Sequence, residues 1–474
     1  MTDSTPVPVD GVDLERGARL LRAHVDKITW LDRSPFLGAT AAAPGMPPIA
    51  APPWPQPEPG ERPGAAPVPG AAPVPGAAPD PGGRRVAVAF APEHGPGARR
   101  WTAAAGLPLL AAGPAVTAQA ADKIEALALF RAAGVDVPGH LVVPADGRDA
   151  AAAYWRPQWE AAVVQRRENN LTGRGTRLAR DVRELRACLD AWPGHALRVA
   201  RYLDGLPLTA GGCVLAGRVL VSAVSHQLVG VPCLTPHWGA HCGNQLLGPS
   251  DLPPGAHTRV REAARRVGEE LRARGFRGVF GLDLLLTAPP SPGAPGRVVA
   301  VEINPRFQTV VSLTQQLERD AGLLPALGAH VLAFRGPGDV PVRTAAAPPR
   351  PLSQLVVHAP DDGPAAALPP SGRYRLGAGG RLTGPLPPPA TGSLASLAPD
   401  EALVWAQTVP GRPVRAGDEL LLVQLPGRVA PLRHGNAPAL LPHARAWLTA
   451  LTGPAPHPPP RPPAPRRPPG EPVR

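Results

Sequence analysis

The amino-acid sequence predicts an α+β protein, because apolar residues recur at helical spacing in some segments and form strand-like runs in others. The helical pattern is clearest at Val260, Ala264, Val267 and Leu271, with Gly275 as the stop. Strand-like runs lie at 86–90, 161–165, 197–203, 211–224, 279–286 and 297–306. Beyond residue 350, short strands alternate with Gly/Pro turns, which predicts a small β-rich module at 350–452.

Two segments are too rich in proline to pack. The chain has 69 Pro and 52 Gly among 474 residues, with 15 of the prolines in residues 41–83 and 11 in residues 453–474. In the first segment the unit GAAPVP at 64–69 recurs at 70–75 and again as GAAPDP at 76–81. A Pro/Ala/Gly repeat cannot bury a face, so we predict an extended linker and a disordered tail. The remaining residues allow two or three domains.

The positive charge of the chain does not by itself indicate a nucleic-acid partner. Lys and Arg number 49 against 37 Asp and Glu, a formal net charge of +12. Only Lys27 and Lys123 are lysines, the arginines are spread evenly, and few aromatic residues are present to stack on bases. We therefore expect no nucleic-acid partner.

Cysteine usage and hydropathy predict a soluble, cytoplasmic protein. The four cysteines, at 188, 213, 233 and 242, include no C-x-x-C pair and are too few for a disulfide framework. The first residues carry acids and no apolar signal region, and no stretch reaches the roughly 18 apolar residues of a membrane span. We expect no membrane partner, and a homodimer is one alternative for the assembly.

Acidic and amide side chains gather near the ends of two apolar strands. Asp283 lies within GLDLLL, while Glu302 and Asn304 share one face of VVAVEINPR because strand side chains alternate. Pairing of the two strands would bring Asp283 beside them. Two carboxylates and an amide oxygen suit Mg²⁺ held jointly with phosphates, and Arg306 continues the same face, where it could brace a phosphoryl group or a carboxylate. The alternative is that these are solvated polar residues at strand ends.

A glycine-containing turn joins a predicted strand to a predicted helix. Its residues, TGRGT at 172–176, are small enough for backbone N–H groups to close on phosphates. An ordinary surface turn is the alternative. A P-loop is excluded, because neither lysine follows a glycine.

Five segments, in this order, resemble the ATP-grasp superfamily. They are DKIEALALFRAAGVDVP at 122–138, AAVVQRRENNLTGRGTRLARDVREL at 161–185, ARYLDG at 200–205, GLD at 281–283 and VEINPRF at 301–307. V-E-I-N-P-R is the most specific of them, and the layout is most similar to biotin carboxylase and its relatives among the carboxylate–amine ligases. The resemblance implies an ATP-grasp fold, in which two α+β subdomains clasp ATP. The implied parts are a short N-terminal segment at 1–40, the linker at 41–83, a reduced pre-ATP-grasp region at 84–116, the ATP-grasp domain at 117–345, the β-rich module at 350–452 and the tail at 453–474.

The resemblance also implies a role for each matching residue, with ATP and Mg²⁺ as cofactors. Lys123 would contact the nucleotide phosphates, Arg201 and Leu203 would offer their backbones to the adenine, and Arg306 would stabilise an acyl phosphate. The β- and γ-phosphates would be covered by Thr172, Gly173, Gly175 and Thr176. The metal ions would be held by Asp283, Glu302 and Asn304.

Two positions depart from the family pattern. Gln165 stands where a second phosphate-binding lysine is usual, and Ala200 where the hinge glutamate often is. If residues 161–167 form a strand, Gln165 and Arg167 share one face. Gln165 can donate hydrogen bonds but brings no charge, so Arg167 is the predicted replacement cation.

A histidine- and cysteine-containing segment follows the predicted hairpin. Residue types that suit zinc occur at Cys233, His237, His241 and Cys242. Pro232 and Pro236 prevent a helix that would bring these side chains together. We interpret the segment instead as a loop over the substrate side of the site. The candidate substrate contacts are His226, Gln227, His237 and His241.

Three functions remain as alternatives. The predicted one is an ATP- and Mg²⁺-dependent ligase that activates a small-molecule carboxylate as an acyl phosphate for attack by an amine or thiol. The second is a biotin carboxylase-like activation of bicarbonate, which the lack of a long glycine run and of a biotinylated lysine disfavours. The third is nucleotide binding without turnover, kept open by the missing second lysine. The sequence names neither the acid nor the amine.

Overall fold

The computed structural model describes residues 5–32, 36–52, 83–147, 153–168, 173–289, 291, 294–387, 394–434 and 439–453. Within them helices and sheets combine in the predicted α+β arrangement. Residues 53–82 of the predicted linker and the predicted tail from residue 454 onward lie outside the described residues.

The N-terminal segment and the residues after the linker form one unit around a three-stranded parallel sheet. Strand β2 (Lys27–Leu31) lies between β3 (Ile49–Ala50) and β4 (Arg85–Ala89). The helices of this unit are α1 (Leu14–His24), α2 (Phe36–Ala41) and α3 (Gly97–Ala104). The linker prediction is wrong for residues 41–52, because β3 pairs with β2 and the backbone N–H of Ile28 donates to Pro48 O at 3.0 Å.

A small antiparallel sheet carries the glycine-containing turn. Its strands lie in the order β5 (His140–Val143), β8 (Leu197–Arg201), β6 (Ala162–Arg166) and β7 (Thr176–Ala179). Helix α6 (Val182–Asp190) begins at Asp181, whose side chain accepts a hydrogen bond from Glu184 N at 2.8 Å. Two short helices, α4 (Pro114–Ala121) and α5 (Ala126–Ala132), precede this sheet.

A large antiparallel sheet carries the predicted acidic residues. Its first half has the order β14 (Val298–Asn304), β13 (Gly278–Thr287), β9 (Gly205–Val214), β11 (Ser225–Val229) and β12 (His241–Leu246), and β10 (Val219–Val221) pairs with β9. The sheet continues through β16 (Leu352–His358), β22 (Glu419–Pro426), β20 (Glu401–Ala406), β18 (Gly372–Leu376) and β19 (Leu382–Leu386). The strands beyond residue 350 therefore extend the same sheet, joined to it where Gly243 of β12 pairs with Leu355 of β16.

Helices cover both faces of the large sheet. Side chains alternate between the two faces along each strand, and apolar residues of β9 and β13 lie on both. Leu208 of β9 and Leu282 of β13 pack with α7 (Ala256–Ala273), the long helix predicted from its apolar spacing. Cys213 and Val279 face the other side, against α9 (Ala326–Arg335) and the N-terminal sheet. Helix α8 (Val311–Asp320) lies beside α9.

The remaining elements are two short strand pairs, one C-terminal helix and three short 3-10 helices in the described part of the chain. Strand β15 (Val342–Ala347) pairs with β1 (Val7–Val12), and the two-residue strands β17 (Gly363–Pro364) and β21 (Pro413–Val414) pair with each other. Helix α10 is Pro442–Thr452, and short 3-10 helices lie at Pro249–Asp251, Ala378–Gly380 and Leu394–Ser396. None of the helices in the described part of the chain combines the length and apolar composition that a bilayer crossing needs.

Candidate active site

Asp283, Glu302 and Asn304 lie together where β13 pairs with β14. Asp283 is opposite Glu302 in the ladder, and Asn304 Nδ2 donates to Asp283 Oδ2 at 3.3 Å. Gln308 Nε2 donates to the other carboxylate oxygen of Asp283 at 3.1 Å. Gly281 leaves room for this contact, because a Cβ there would occupy the position of the Gln308 amide. The three predicted metal ligands thus form one cluster of hard oxygen donors.

The two carboxylates of the cluster have opposite pKa shifts. Burial raises the pKa of Asp283 to about 7, and the charge of Glu302 adds to the rise. Burial acts in the same direction on Glu302, but the charge and hydrogen bond of Lys123 outweigh it and lower the pKa of Glu302 to about 2. When the pair holds a proton, that proton therefore resides on Asp283 rather than on Glu302. A divalent cation relieves such crowding, since it favours both ionised forms.

Lys123 reaches this cluster from the turn between α4 and α5. Asp122 Oδ1 shapes the turn by accepting the backbone N–H of Ile124 at 2.8 Å. The Lys123 side chain is 4% exposed, and its Nζ lies 2.9 Å from Glu302 Oε2. Its backbone N–H donates to Arg167 O at 2.8 Å, which ties the turn to the end of β6. The small-sheet side of the molecule and the large sheet therefore meet at Lys123 and Glu302.

Gln165 is buried on β6 and its amide is held at both ends. Its Oε1 accepts a hydrogen bond from Arg198 Nη2, and its Nε2 lies 3.4 Å from Thr176 Oγ1. Arg198 stands directly across the ladder on β8. Sequence reasoning did not select Arg198, although it lies within the apolar run LRVARYL, where a charged residue is unexpected.

Arg167, the predicted replacement cation, is paired with acids of the Lys123 turn. Its Nε donates to Asp122 Oδ2 at 2.7 Å, and its Nη2 lies 3.6 Å from Glu125 Oε1. Residue 167 lies beyond the end of β6, so strand alternation does not fix the direction of its side chain. Its role at the phosphates stays a prediction.

The glycine-containing turn is described from Gly173 onward, and Thr172 lies outside the described residues. Gly173 has a φ of +68°, and a Cβ there would lie 2.5 Å from Gly239 O, so the turn needs glycine at this position. Gly175 O accepts the backbone N–H of Arg166 at 2.9 Å, and Thr176 pairs with Gln165.

Arg174, inside this turn, is anchored to the strands beyond residue 350. Its Nη2 donates to Ala416 O at 2.6 Å and to Asp418 Oδ1 at 2.9 Å. His237 Nε2 lies 3.1 Å from the same Ala416 O. The turn and the 237 loop therefore share one attachment point next to β22.

Arg306 is paired with an acid that comes from the N-terminal unit. Its Nε lies 3.0 Å from Glu93 Oε1, with side-chain exposures of 8% and 9%. Its Nη2 donates to Asn304 Oδ1 at 2.9 Å. His94 Nε2 lies 3.4 Å from the same Glu93 oxygen. Glu93 was not selected from the sequence, although it follows the carboxyl end of the strand at 86–90, where ligand-binding residues often lie.

The hinge prediction needs one correction. The backbone N–H of Arg201, the last residue of β8, donates to Gly139 O at 2.7 Å and is not available to an adenine. Leu203 lies in the segment between β8 and β9.

The four candidate substrate contacts do not all lie together. Gln227 and His226 are on opposite faces of β11, and His237 and His241 follow in the next loop and strand. Gln227 is among the groups that counteract the burial-driven rise in the pKa of Asp283, and His241 Nε2 lies 2.7 Å from Asn244 Oδ1 on the neighbouring strand. Burial lowers the pKa of His241, and Arg306 is among the charges that act on it. His226 is wrong as a substrate contact: it is fully buried on the opposite face, 3.2 Å from Gln245 Nε2, and burial lowers its pKa to about 4.

Comparisons with known proteins identify a domain family over part of the chain and related folds over most of it. Residues 120–310 match the family described as the ATP-grasp domain. No curated protein matches the sequence. Carboxyaminoimidazole ribonucleotide synthase from Aspergillus clavatus, complexed with ATP, has a TM-score of 0.53 at 14% identity, covering 85% of this chain and 94% of that chain. Phosphoribosylamine–glycine ligase from Thermotoga maritima has a TM-score of 0.51 at 14% identity, covering 85% and 92%.

At these identities the likeness concerns the fold. The small sheet, the large sheet and the Lys123–Glu302 contact between them define an ATP-grasp architecture, and the predicted ATP-grasp fold is confirmed. Residues 120–310 are similar to the ATP-grasp domain family, and the likeness in fold extends over 85% of the chain.

Proposed function

We propose that this protein is an ATP- and Mg²⁺-dependent ligase that activates a carboxylate as an acyl phosphate for attack by an amine or a thiol. The observation that carries the proposal is the 2.9 Å contact between Lys123 Nζ and Glu302 Oε2, with Asp283 and Asn304 beside it. A buried cation suited to phosphates and a set of hard oxygen ligands thereby lie in direct contact. Phosphoryl transfer requires this combination.

The donor set fits Mg²⁺. Two carboxylates and one amide oxygen are hard ligands, and phosphate oxygens and water complete the shell that Mg²⁺ prefers. The raised pKa of Asp283 beside the ionised Glu302 is the electrostatic signature of a site that a cation completes. When bound, the ion would neutralise charge on the transferring phosphoryl group.

The proposed reaction has two balanced steps. A substrate carboxylate oxygen attacks the γ-phosphorus of ATP, the bond to the β,γ-bridging oxygen breaks, and ADP leaves with that electron pair. The amine then attacks the acyl carbon, phosphate leaves, and the amine nitrogen loses a proton to the surroundings. Lys123 orients the polyphosphate, and Arg306, fixed between Glu93 and Asn304, stabilises the oxyanion charge that develops during acyl transfer.

Candidate contacts for the two organic substrates lie on the same face as the metal ligands. Gln227 reaches Asp283, and His241 contacts Asn244 on β12. Both are neutral hydrogen-bonding groups at neutral pH, which suits orientation of a carboxylate or amide product. We propose small-molecule carboxylates and amines as the substrates.

A screen of phosphate release tests the proposal. Purified protein with Mg²⁺ and ATP is supplied with panels of carboxylates and amines, singly and in pairs, and phosphate and ADP are measured together. The proposal expects release of both in a one-to-one ratio only when a carboxylate and an amine or thiol are present together. Release that depends on bicarbonate alone would support the biotin carboxylase-like alternative. Nucleotide binding with no release under any pairing would support a non-catalytic role.

A further inference from the structure

Arg198 is a buried cation whose hydrogen-bond partners are all neutral. Its side chain is 2% exposed, and the charge of Glu302 that acts on it is already paired with Lys123. Its Nη1 donates to Lys123 O at 3.3 Å and its Nη2 to Val301 O at 3.0 Å and to Gln165 Oε1. Its Nε has no hydrogen-bond partner in the described part of the chain. A buried charge without an ion pair of its own is disfavoured, so a ligand that brings negative charge would stabilise it.

Three elements of the candidate active site meet at Arg198. It faces Gln165 across the β6–β8 ladder, it holds the main chain of Lys123, and it holds the main chain of Val301, the residue before Glu302. One side chain therefore connects the small sheet, the α4–α5 turn and β14. Its position is fixed with respect to both lobes that would enclose a nucleotide.

Arg198 differs from the other two cations of the site in having no ion pair among the described residues. Lys123 is paired with Glu302, and Arg306 is paired with Glu93. Burial lowers the pKa of Arg198 to about 10, so the guanidinium still carries its charge at neutral pH.

We propose that Arg198 and Gln165 together replace the second phosphate-binding lysine of the ATP site. Arg198 supplies the charge, and by holding Gln165 Oε1 it determines which end of the amide is left for the ligand. A guanidinium has donors only, so it can bind the oxygen end of the amide but not the nitrogen end. One N–H of Gln165 Nε2 is directed to Thr176 Oγ1 and the other remains for a phosphate oxygen, whereas a flipped amide would turn its oxygen towards the phosphate. Arg198 is thus a positioning residue, and the inference concerns nucleotide binding with or without turnover.

Moving the positive charge from residue 198 on β8 to residue 165 on β6 tests the inference. Binding of a non-hydrolysable ATP analogue with Mg²⁺ is measured by calorimetry for Arg198→Met, Gln165→Lys and the double variant, with adenosine as a ligand that has no phosphates. We expect Arg198→Met to weaken binding of the analogue about tenfold or more while adenosine binding stays within about twofold. The double variant should recover to within about threefold of the parent, because a lysine on β6 restores both charge and donor. Gln165→Lys alone should bind worse than the parent, since it places two cations in contact.

Gln165→Leu keeps the test decisive if Arg198→Met does not fold. It removes the amide without touching the cation, and we expect the same selective loss for the ATP analogue. The inference is overturned if the analogue and adenosine weaken equally, if the double variant shows no recovery, or if Gln165→Leu binds the analogue as the parent does. Lower melting temperature with unchanged binding in every variant would make Arg198 a structural link only and would also overturn it.

Discussion

Glu93 Oε1 lies 3.0 Å from Arg306 Nε, and both side chains are buried. The first belongs to the loop after β4 of the parallel sheet, and the second follows β14 of the large sheet. The N-terminal unit therefore supplies the counter-charge for an arginine that also holds Asn304. This contact makes the short N-terminal unit part of the candidate active site.

Removing Glu93 should destabilise the protein, because it leaves Arg306 buried without an anion. We expect Glu93→Ala to lower the free energy of unfolding by about 3–5 kcal/mol, the range for breaking one side of a buried pair. The measurement is urea unfolding followed by fluorescence. As a control, Asp339→Ala breaks an ion pair with Arg218 whose side chains are 87% and 47% exposed, and should change it by less than about 1 kcal/mol.

The double variant Glu93→Ala/Arg306→Met distinguishes charge from packing. If the uncompensated charge causes the loss, the double variant is more stable than Glu93→Ala alone. Additive losses would contradict this explanation and would assign the effect to cavities instead.

Glu318 should make stability depend on pH. Its carboxylate accepts hydrogen bonds from Ser222 Oγ at 3.1 Å and Ala326 N at 2.7 Å, yet burial raises its pKa to about 7. Between the ordinary glutamate pKa and about 7 the unfolded chain ionises while the folded chain keeps the proton. Stability therefore falls as pH rises through this window, by about 3 kcal/mol for this one group.

Glu318→Gln tests this by removing the titrating group. Unfolding measured from about pH 5 to about pH 8 should show a smaller loss of stability in the variant than in the parent. Part of the dependence should remain, since Asp283 has a similarly raised pKa. Identical slopes in the two proteins would contradict the assignment.

Only the part of the predicted linker that lies between β3 and β4, residues 53–82, should be replaceable without loss of stability. Both strands are parallel to β2 and flank it, so the chain must cross from the carboxyl end of β3 to the amino end of β4. Such a crossover needs about a dozen residues or more. We expect replacement of residues 53–82 by about 15 Gly/Ser residues to leave the melting temperature unchanged within about 2 °C, whereas also deleting 41–52 should lower it by removing β3. A lost thermal transition in the first variant would show that the proline-rich repeat packs.

The strands that carry the proposed metal ligands could be located from the sequence, because two patterns agree there. Alternation along VVAVEINPR puts Glu302 and Asn304 on one face, and the apolar run before Asp283 is long enough to pair with it. Helix α7 was predicted for the same reason, since its buried positions recur every three or four residues.

Contacts between residues that are far apart in the sequence cannot be predicted from helical or strand periodicity. Arg198 acts through a cross-strand partner 33 positions away, and Glu93 meets Arg306 across more than 200 positions. Two further residues show the limit of strand alternation. It does not fix the direction of Arg167, because β6 ends at Arg166. It also gives no sign of which face of β11 is covered by the strands beyond residue 350, where His226 lies buried.

Mg²⁺-dependent binding of a non-hydrolysable ATP analogue by the parent and by Glu302→Gln tests the central claim most directly. In the parent, Mg²⁺ should raise the affinity about tenfold or more, equivalent to at least about 1.4 kcal/mol. Glu302→Gln should bind the analogue without Mg²⁺ at least as tightly as the parent, because Lys123 loses its carboxylate partner, and should gain nothing from Mg²⁺. Glu318→Gln, a second buried glutamate away from the cluster, should keep the full gain. The same Mg²⁺-dependent gain in Glu302→Gln as in the parent would contradict the account.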